Sequence, residues 1–494
     1  MKKKIIIIGG GIAGLSAGVY AQKCGFETTI LESHKISGGN CTSWKRNGYL
    51  FEGGMHWLTG SGKNEPLHKM WRYVGALDDS VKVINSEPFM VYNYNGTPIK
   101  MYRNADETEK HLISLSPEDA GEIRRLTGYI RRVTDLSMPV FDLRGVRATK
   151  KTHPPLSLML TAMSGLRLMK KLTMMPQKEF IGRFKHEGIR ELFGSVTNEQ
   201  SGIMPLVFTY ATLNRGDGGF PEGGSLPFAA RITKTYTDLG GQILYKTKAD
   251  RVIVENGRAA GVMAGGKEFP ADAVIVTSDT MAIDQLFEKP PKADWLDRMH
   301  ARTKPTMCVF VSLGIDADLA KYPKNYIIKP NTPVKLADQT YTYLSLNNYA
   351  GDPVYSPKGK SAVTVFLGGD TWDFWKKAKA ENRYDDEKKR IAGDICAAVT
   401  AQIPEASGKI EVIDVATPLT YERYCGNWKG SWMTEMLPDT KMTGYPAAVR
   451  GLEGVYFAGQ RMMPPGGLPV ALISGRTAVQ YLCRDTDTLF ISED

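Results

Sequence analysis

Lys4-Ile5-Ile6-Ile7-Ile8-Gly9-Gly10-Gly11-Ile12-Ala13-Gly14-Leu15 decides the fold of this chain. The unbroken β-branched run reads as a parallel strand covered on both faces. Leu15 to Cys24 has helical composition, Phe26 to Leu31 reads as a second strand, and Glu32 ends it, 23 residues after Gly9. The three glycines serve different ends. Gly9 makes the tight turn, Gly11 lets backbone approach a pyrophosphate, and Gly14 lets helix and strand pack closely. Free N–H groups and the positive dipole end at the start of the helix favour phosphates. A carboxylate at Glu32 accepts hydrogen bonds from a ribose diol. Strand, glycines, helix, strand and acid in this order point to a dinucleotide site. Glu32 would repel a 2′-phosphate, which disfavours NADP and leaves FAD or NAD. Ser37-Gly38-Gly39-Asn40 adds a second glycine pair, read either as backbone approaching the same phosphates or as a simple turn. No second GxGxxG follows, so a separate nicotinamide domain is not visible.

Other pieces fit the same unit. Asp250 to Glu255, then Gly257 and Ala259 to Met263, form a hairpin pattern, and Asp272 to Val276 is an apolar strand closed by Thr277-Ser278. Gly454 to Phe457 is a strand running into Ala458-Gly459-Gln460, and after Pro464 to Pro469 the stretch Val470 to Leu482 is helical and small on one face. Such a helix suits an N-terminus aimed at an electron-rich ring or a phosphate.

The chain has 494 residues, 42% apolar and 23% charged, which implies two or three folded domains rather than disorder. Its net charge of +10 is concentrated: Glu122 to Glu191 holds 15 Lys/Arg against six acids, or +9. Six cysteines without any CxxC read as reduced thiols, and seven histidines without HxxH or HExxH give no metal site. Met1 to Lys4 before only four isoleucines is too short for an export signal. Pro155 to Leu168 is the best apolar run, but Ser157, Ser164 and Arg167 interrupt it, so no spanning helix is expected.

Together these motifs resemble the FAD-dependent phytoene desaturase, carotenoid isomerase and retinol saturase superfamily, within the amine-oxidase and GDP-dissociation-inhibitor fold. The resemblance covers most of the chain. It rests on Ile8 to Leu15, on Gly48-Tyr49-Leu50-Phe51-Glu52-Gly53-Gly54-Met55-His56-Trp57, on Phe220-Pro221-Glu222-Gly223-Gly224, on Gly240-Gly241, and on Tyr456 to Gly459 with Gly466-Gly467-Leu468-Pro469. It implies an α/β fold: a Rossmann-type FAD-binding domain from residues 1–64, 214–288 and 444–494, and a discontinuous mixed α+β substrate domain from 65–213 and 289–443. Gly9, Gly11, Ala13 and Gly14 would hold the FAD pyrophosphate, Glu32 the adenosine ribose, and Gly38, Gly39 and Asn40 would extend the phosphate site. Val252 matches the position whose backbone meets the adenine. Gly459 and Gln460 match the end motif, where Gln460 departs from the family's usual acid, and Leu468 and Pro469 begin the helix facing the flavin pyrimidine. Flavin amine oxidases usually continue the double glycine with Arg, where this chain has Asn40-Cys41, so amine oxidation is disfavoured. Gly54-Met55-His56-Trp57-Leu58 resembles the Gly-x-His-aromatic stretch of the retinol saturase branch, and His56 is the side chain nominated near the chemistry. Cys41 reads as packing.

The resemblance implies an oxidoreductase that saturates, desaturates or isomerises carbon–carbon double bonds of an apolar polyene or isoprenoid-type lipid. The alternatives are a flavin amine oxidase and a non-catalytic lipid-binding protein of the same fold. The basic insertion, Met- and Leu-rich across 155–190, reads either as an amphipathic surface for an anionic bilayer or as a solvated cap on its own core. Its aromatics show no stacking pattern for nucleic acid. The expected location is the cytoplasm, with peripheral contact at the inner face of the membrane.

Overall fold

The isoleucine run forms the strand Lys4–Ile8, whose four isoleucines are at most 6% exposed. The computed structural model describes residues 2–138, 140–150, 165, 167–196, 201–438, 440 and 444–493. Among these residues two sheets organise the molecule. The first has five parallel strands in the order Val455–Phe457, Ala273–Val276, Lys4–Ile8, Glu27–Leu31, Gln242–Leu244. The first strand of the chain thus sits at the centre of the sheet, between Glu27–Leu31 and the mid-chain strand Ala273–Val276, with the late strand Val455–Phe457 at one edge. The helices Ile12–Lys23 and Leu468–Asp485 pack on each other against this sheet, and a Cβ at Gly475 would lie 2.5 Å from the Ala13 carbonyl oxygen. Small residues at this crossing are what let the two helices approach so closely.

The hairpin Ala249–Glu255 and Arg258–Ala264 is completed by Lys267–Pro270 as a three-stranded antiparallel sheet. The second large sheet has seven strands: Ile410–Ala416, Cys308–Ile315, Ser361–Gly368, Leu344–Asn348, Asn325–Ile328, Met90–Tyr94, Thr97–Met101. Its strands come from both sides of the Gln242–Val276 region in sequence, and all pairs are antiparallel except Asn325–Ile328 with Met90–Tyr94. The helices Ala105–Leu115, Ala120–Val133 and Met204–Asn214 build a core with Phe89, Tyr92 and Ile327. Of the apolar run predicted between Pro155 and Leu168, residues 155–164 and 166 lie outside the described residues. No described helix is long and apolar enough to cross a membrane.

Candidate active site

Gly9 takes φ +102°, and its N–H donates to the Leu31 carbonyl at 2.9 Å. A Cβ at Gly14 would fall 1.9 Å from the Gly9 carbonyl oxygen, so helix and turn meet only because Gly14 carries no side chain. The second glycine pair folds back onto the first. Gly38 N–H donates to the Gly10 carbonyl at 2.8 Å, Gly11 and Gly38 form a parallel bridge, and a Cβ on Gly39 would lie 3.2 Å from Gly11 Cα. Glu32, 8% exposed, sits beneath this turn, its carboxylate accepting from Gly10 N–H at 2.6 Å and His34 N–H at 2.7 Å.

Two helix starts meet the same space. Helix Ile12–Lys23 begins after Gly11 and helix Leu468–Asp485 after Gly467 (φ +84°), neither with a side-chain cap. Their first N–H groups are left for an anion or an electron-rich ring. Thr277 Oγ1 donates to the carbonyls of Ile8 at 2.8 Å and Gly9 at 3.0 Å, and Ser474 Oγ accepts from Gly459 N–H at 2.9 Å. Ser278 Oγ is buried without a partner among the described residues.

All of this faces one cavity of about 2070 Å³, whose wall contains Gly9, Gly11, Ala13, Glu32, Gly38, Gly39, Asn40, His56, Gly459, Gln460, Leu468 and Pro469. Two nominated residues are not in the wall. Gly14 lies behind it, spacing helix from turn. Val252, 3% exposed, packs into the core under its own hairpin, and Lys248, Ala249 and Asp250 of the same segment take the wall position. Those three residues stand at or just before the start of the strand Ala249–Glu255, and Val252 lies further along it, beyond the cavity wall. A glycine-lined turn without Cβ atoms, two uncapped helix starts and an orphaned hydroxyl at Ser278 fit a bound dinucleotide cofactor. Cys41 is 2% exposed with Sγ 3.6 Å from the Ser225 carbonyl oxygen, and burial pushes its thiol pKa up, so it packs rather than reacts.

His56 stands further along the wall in an aromatic box. Its ring centroid lies 5.2 Å from that of Trp432, 5.9 Å from Phe366 and 6.0 Å from Phe310, and Nε2 is enclosed without a partner among the described residues. Burial, aided by the charge of Lys324, lowers its pKa to about 4, which keeps the imidazole neutral. Lys324 itself stacks its ammonium 3.0 Å from the Phe220 ring centroid, and burial lowers it to about 7 against the pull of Glu52 and Asp352.

Glu52 lies inside the Gly48–Trp57 motif, and sequence reasoning assigns it no role. It is 1% exposed, and one carboxylate oxygen accepts from Gly54 N–H at 2.8 Å and Met55 N–H at 3.0 Å. The other accepts from Ser225 N–H and Tyr355 O–H, both at 2.9 Å. It therefore fixes the segment that carries His56 onto the turn at Gly224, where a Cβ would lie 2.3 Å from Glu52 Oε2. The available signal is an acid set between two glycine motifs. Lys324 has no such signal, since the strand that follows it reads as an ordinary apolar run.

A family model described as flavin containing amine oxidoreductase matches residues 12–483. The chain is 28% identical over 290 residues to phytoene desaturase (lycopene-forming) of Paracoccus sp. (strain N81106 / MBIC 01143), a match covering 56% of this chain and only about half, 55%, of that protein. It is 21% identical to the chloroplastic prolycopene isomerase of Daucus carota (97% of this chain, 80% of that one). It is 23% identical to all-trans-retinol 13,14-reductase of Danio rerio (86% and 76%). Among solved structures, cyclohexylamine oxidase from Brevibacterium oxydans IH-35A shares the fold, with TM-score 0.61 at 15% identity over 99% of this chain and 100% of that one. The chain belongs to the flavin-containing amine oxidoreductase family.

Proposed function

We propose that this flavoprotein uses FAD to act on carbon–carbon double bonds of an elongated, apolar polyene or isoprenoid-type lipid, by saturation, desaturation or isomerisation. The observation that carries the reading is the single cavity of about 2070 Å³. Pockets for one small ligand run to about 300–1,000 Å³, so this one has room for a dinucleotide and a long second ligand together. It runs from the glycine turn past His56 to Met138, Met169, Met204 and Phe208. Flexible methionines suit an irregular apolar ligand. The similar proteins bear the names of a desaturase, an isomerase and a reductase acting on phytoene, prolycopene and all-trans-retinol.

The bound cofactor would supply hydride exchange with the substrate. The chain's own groups do the rest. Gly9, Gly11, Gly38 and Gly39 admit the pyrophosphate, Glu32 orients the ribose, and the box of Phe310, Phe366 and Trp432 keeps water from the reacting stretch. His56, held neutral, presents a proton acceptor rather than a cation. Asn40-Cys41 in place of the arginine common in amine oxidases supports a lipid over an amine.

The deciding experiment incubates oxidised and reduced enzyme anaerobically with carotenoids, retinoids and unsaturated fatty acids, and reads product mass for loss of 2 H, gain of 2 H or no change. Flavin bleaching by amines without reaction of any polyene would instead favour amine oxidation. A purified protein that takes up no flavin would favour a non-catalytic lipid carrier.

A further inference from the structure

Cys24 and Cys483 meet from the first and the last helix of the cofactor half. Helices Ile12–Lys23 and Leu468–Asp485 both start at the cavity and run side by side. Where they cross, Ser16 Oγ donates to the Leu472 carbonyl at 2.9 Å, and Gly475 packs on Ala13 and Ala17. Cys24, which caps the first helix, lies about two turns beyond Ala17, and Cys483 about two turns beyond Gly475. There the Cys483 thiol donates to Cys24 Sγ, which also accepts from Ile491 N–H at 3.4 Å. The segment that brings Ile491 is itself fixed: Tyr73 O–H donates to the Ile491 carbonyl at 2.7 Å, and Phe490 stacks on Tyr20 with ring centroids 5.7 Å apart.

The two thiols are not equivalent. Cys24 is half-buried beside the exposed Gly25, whereas Cys483 is fully buried. The hydrogen bond from Cys483, helped by that from Ile491, lowers the Cys24 pKa against the effect of burial, and the same bond raises that of Cys483. In Cys41, Cys308, Cys396 and Cys425 burial raises the pKa instead. The thiolate is the form that attacks an oxidant. A reachable thiolate set beside a second thiol is the arrangement of a redox-sensing cysteine with its resolving cysteine.

We propose that Cys24 and Cys483 form a redox site, in which hydrogen peroxide oxidises Cys24 and Cys483 resolves it to a disulfide. The Cys24 thiolate attacks one peroxide oxygen, the O–O bond breaks, hydroxide leaves, and Cys24 carries a sulfenic acid. The Cys483 sulfur then attacks the Cys24 sulfur. The S–O bond breaks, the departing hydroxyl takes the Cys483 proton and leaves as water, and the S–S bond is made. With the proton first shed by Cys24, the hydroxide becomes the second water, so one peroxide has taken two electrons from the thiol pair. A dithiol such as dithiothreitol reverses the step. The bond joins, at their far ends, the two helices whose starts line the cavity, and it closes a loop over nearly the whole chain, so the oxidised protein resists unfolding. Neither cysteine is in the cavity wall, and the site needs nothing of the proposed lipid substrate.

The test treats the full chain, carrying its flavin, with a small excess of hydrogen peroxide and maps its peptides without reduction. The expected product is one linked Cys24–Cys483 peptide pair, two hydrogens lighter than the separate peptides and restored by dithiothreitol. The thermal unfolding midpoint of the linked form should rise by at least about 2 °C. Cys483→Ala should leave a Cys24 sulfenic acid that dimedone traps, and Cys24→Ala should give neither link nor adduct at Cys483. The wild-type map decides even where a variant folds poorly. Free Cys24 and Cys483 after peroxide overturn the proposal, as does Cys24 passing unlinked to the sulfinic acid, or another cysteine oxidised first. A link that leaves the midpoint unmoved overturns the fastening of the two helices. Because the map reads no turnover, it succeeds or fails independently of the substrate assignment.

Discussion

Asp279 and Arg461 meet as a two-pronged buried ion pair: Arg461 Nε lies 2.8 Å from Asp279 Oδ1 and Nη2 2.9 Å from Oδ2, with the side chains 3% and 2% exposed. Asp279 also accepts from Trp428 N–H at 3.0 Å, and Arg461 donates to Thr434 Oγ1 at 2.9 Å. The pair ties the ends of two cofactor-sheet strands to the 428–434 segment, which carries Trp432 of the His56 box. Removing one member strands the other charge. Arg461→Met or Asp279→Asn is therefore expected to cost about 3–5 kcal/mol in denaturant unfolding. The double variant should cost clearly less than the sum, and simple additivity would show that the pair is not a unit.

Glu32→Ala should weaken FAD binding by roughly ten- to a hundredfold, from lost ribose hydrogen bonds worth about 1.4–2.8 kcal/mol. It also leaves Gly10 N–H without its 2.6 Å acceptor. Glu32→Gln keeps an acceptor oxygen and should bind FAD more tightly than the alanine variant. Fluorescence titration of apoprotein measures both. Unchanged affinity for Glu32→Ala would remove the ribose assignment.

Glu52→Ala deprives Gly54 N–H, Ser225 N–H and the hydroxyls of Tyr355 and Ser43 of their acceptor in the core, while Met55 N–H keeps Ser225 Oγ at 2.9 Å. At about 1–3 kcal/mol for each buried unsatisfied group, the segment bearing His56 should no longer hold its place. Turnover should collapse, with partial recovery in Glu52→Gln, while the FAD spectrum is retained. Full turnover in Glu52→Ala would show that the carboxylate does not position His56.

His56 gives a pH signature. Its folded pKa of about 4 lies below its ordinary value of 6.5, so between these values the unfolded chain binds the proton more readily. The stability tied to its neutral form is fully present above about pH 6.5 and is lost as pH falls through about 4. The shift corresponds to at most about 3 kcal/mol. Denaturant unfolding of wild type and His56→Phe between pH 7 and 4 should show the smaller pH slope in the variant. Parallel slopes would contradict an imidazole held neutral in the aromatic box.

The cofactor half is legible because its rules are local. Gly9, at φ +102°, and Gly14, where a Cβ would meet the Gly9 carbonyl, announce a turn that needs glycine, and the four isoleucines announce a doubly covered strand. Gly38 and Gly39 read either as backbone near the same phosphates or as a simple turn, and the Gly38 N–H to Gly10 carbonyl bond sets them against the first turn, which no local pattern announces. The His56 surroundings are not legible. Trp432, Phe310 and Lys324 reach His56 across hundreds of residues, from strands and loops whose local patterns say only that they are apolar. Arg461 likewise reads as an ordinary loop residue until the fold sets Asp279 beside it. Val252 shows the converse error, in which a motif position is right in sequence and its neighbours take the place at the wall.

The strand order of the five-stranded sheet has a consequence for how the enzyme is made. Lys4–Ile8 leaves the ribosome before its sheet neighbours and can pair early with Glu27–Leu31, but its other edge waits for Ala273–Val276, and the sheet is complete only when Val455–Phe457 arrives. Helix Leu468–Asp485, which closes the cofactor space, comes later still. The nascent chain must therefore carry an unpaired isoleucine edge through much of its synthesis, the kind of exposed strand that chaperones shield. Cofactor capture must then wait for that helix, and flavin supply should govern how much newly made chain reaches the native state.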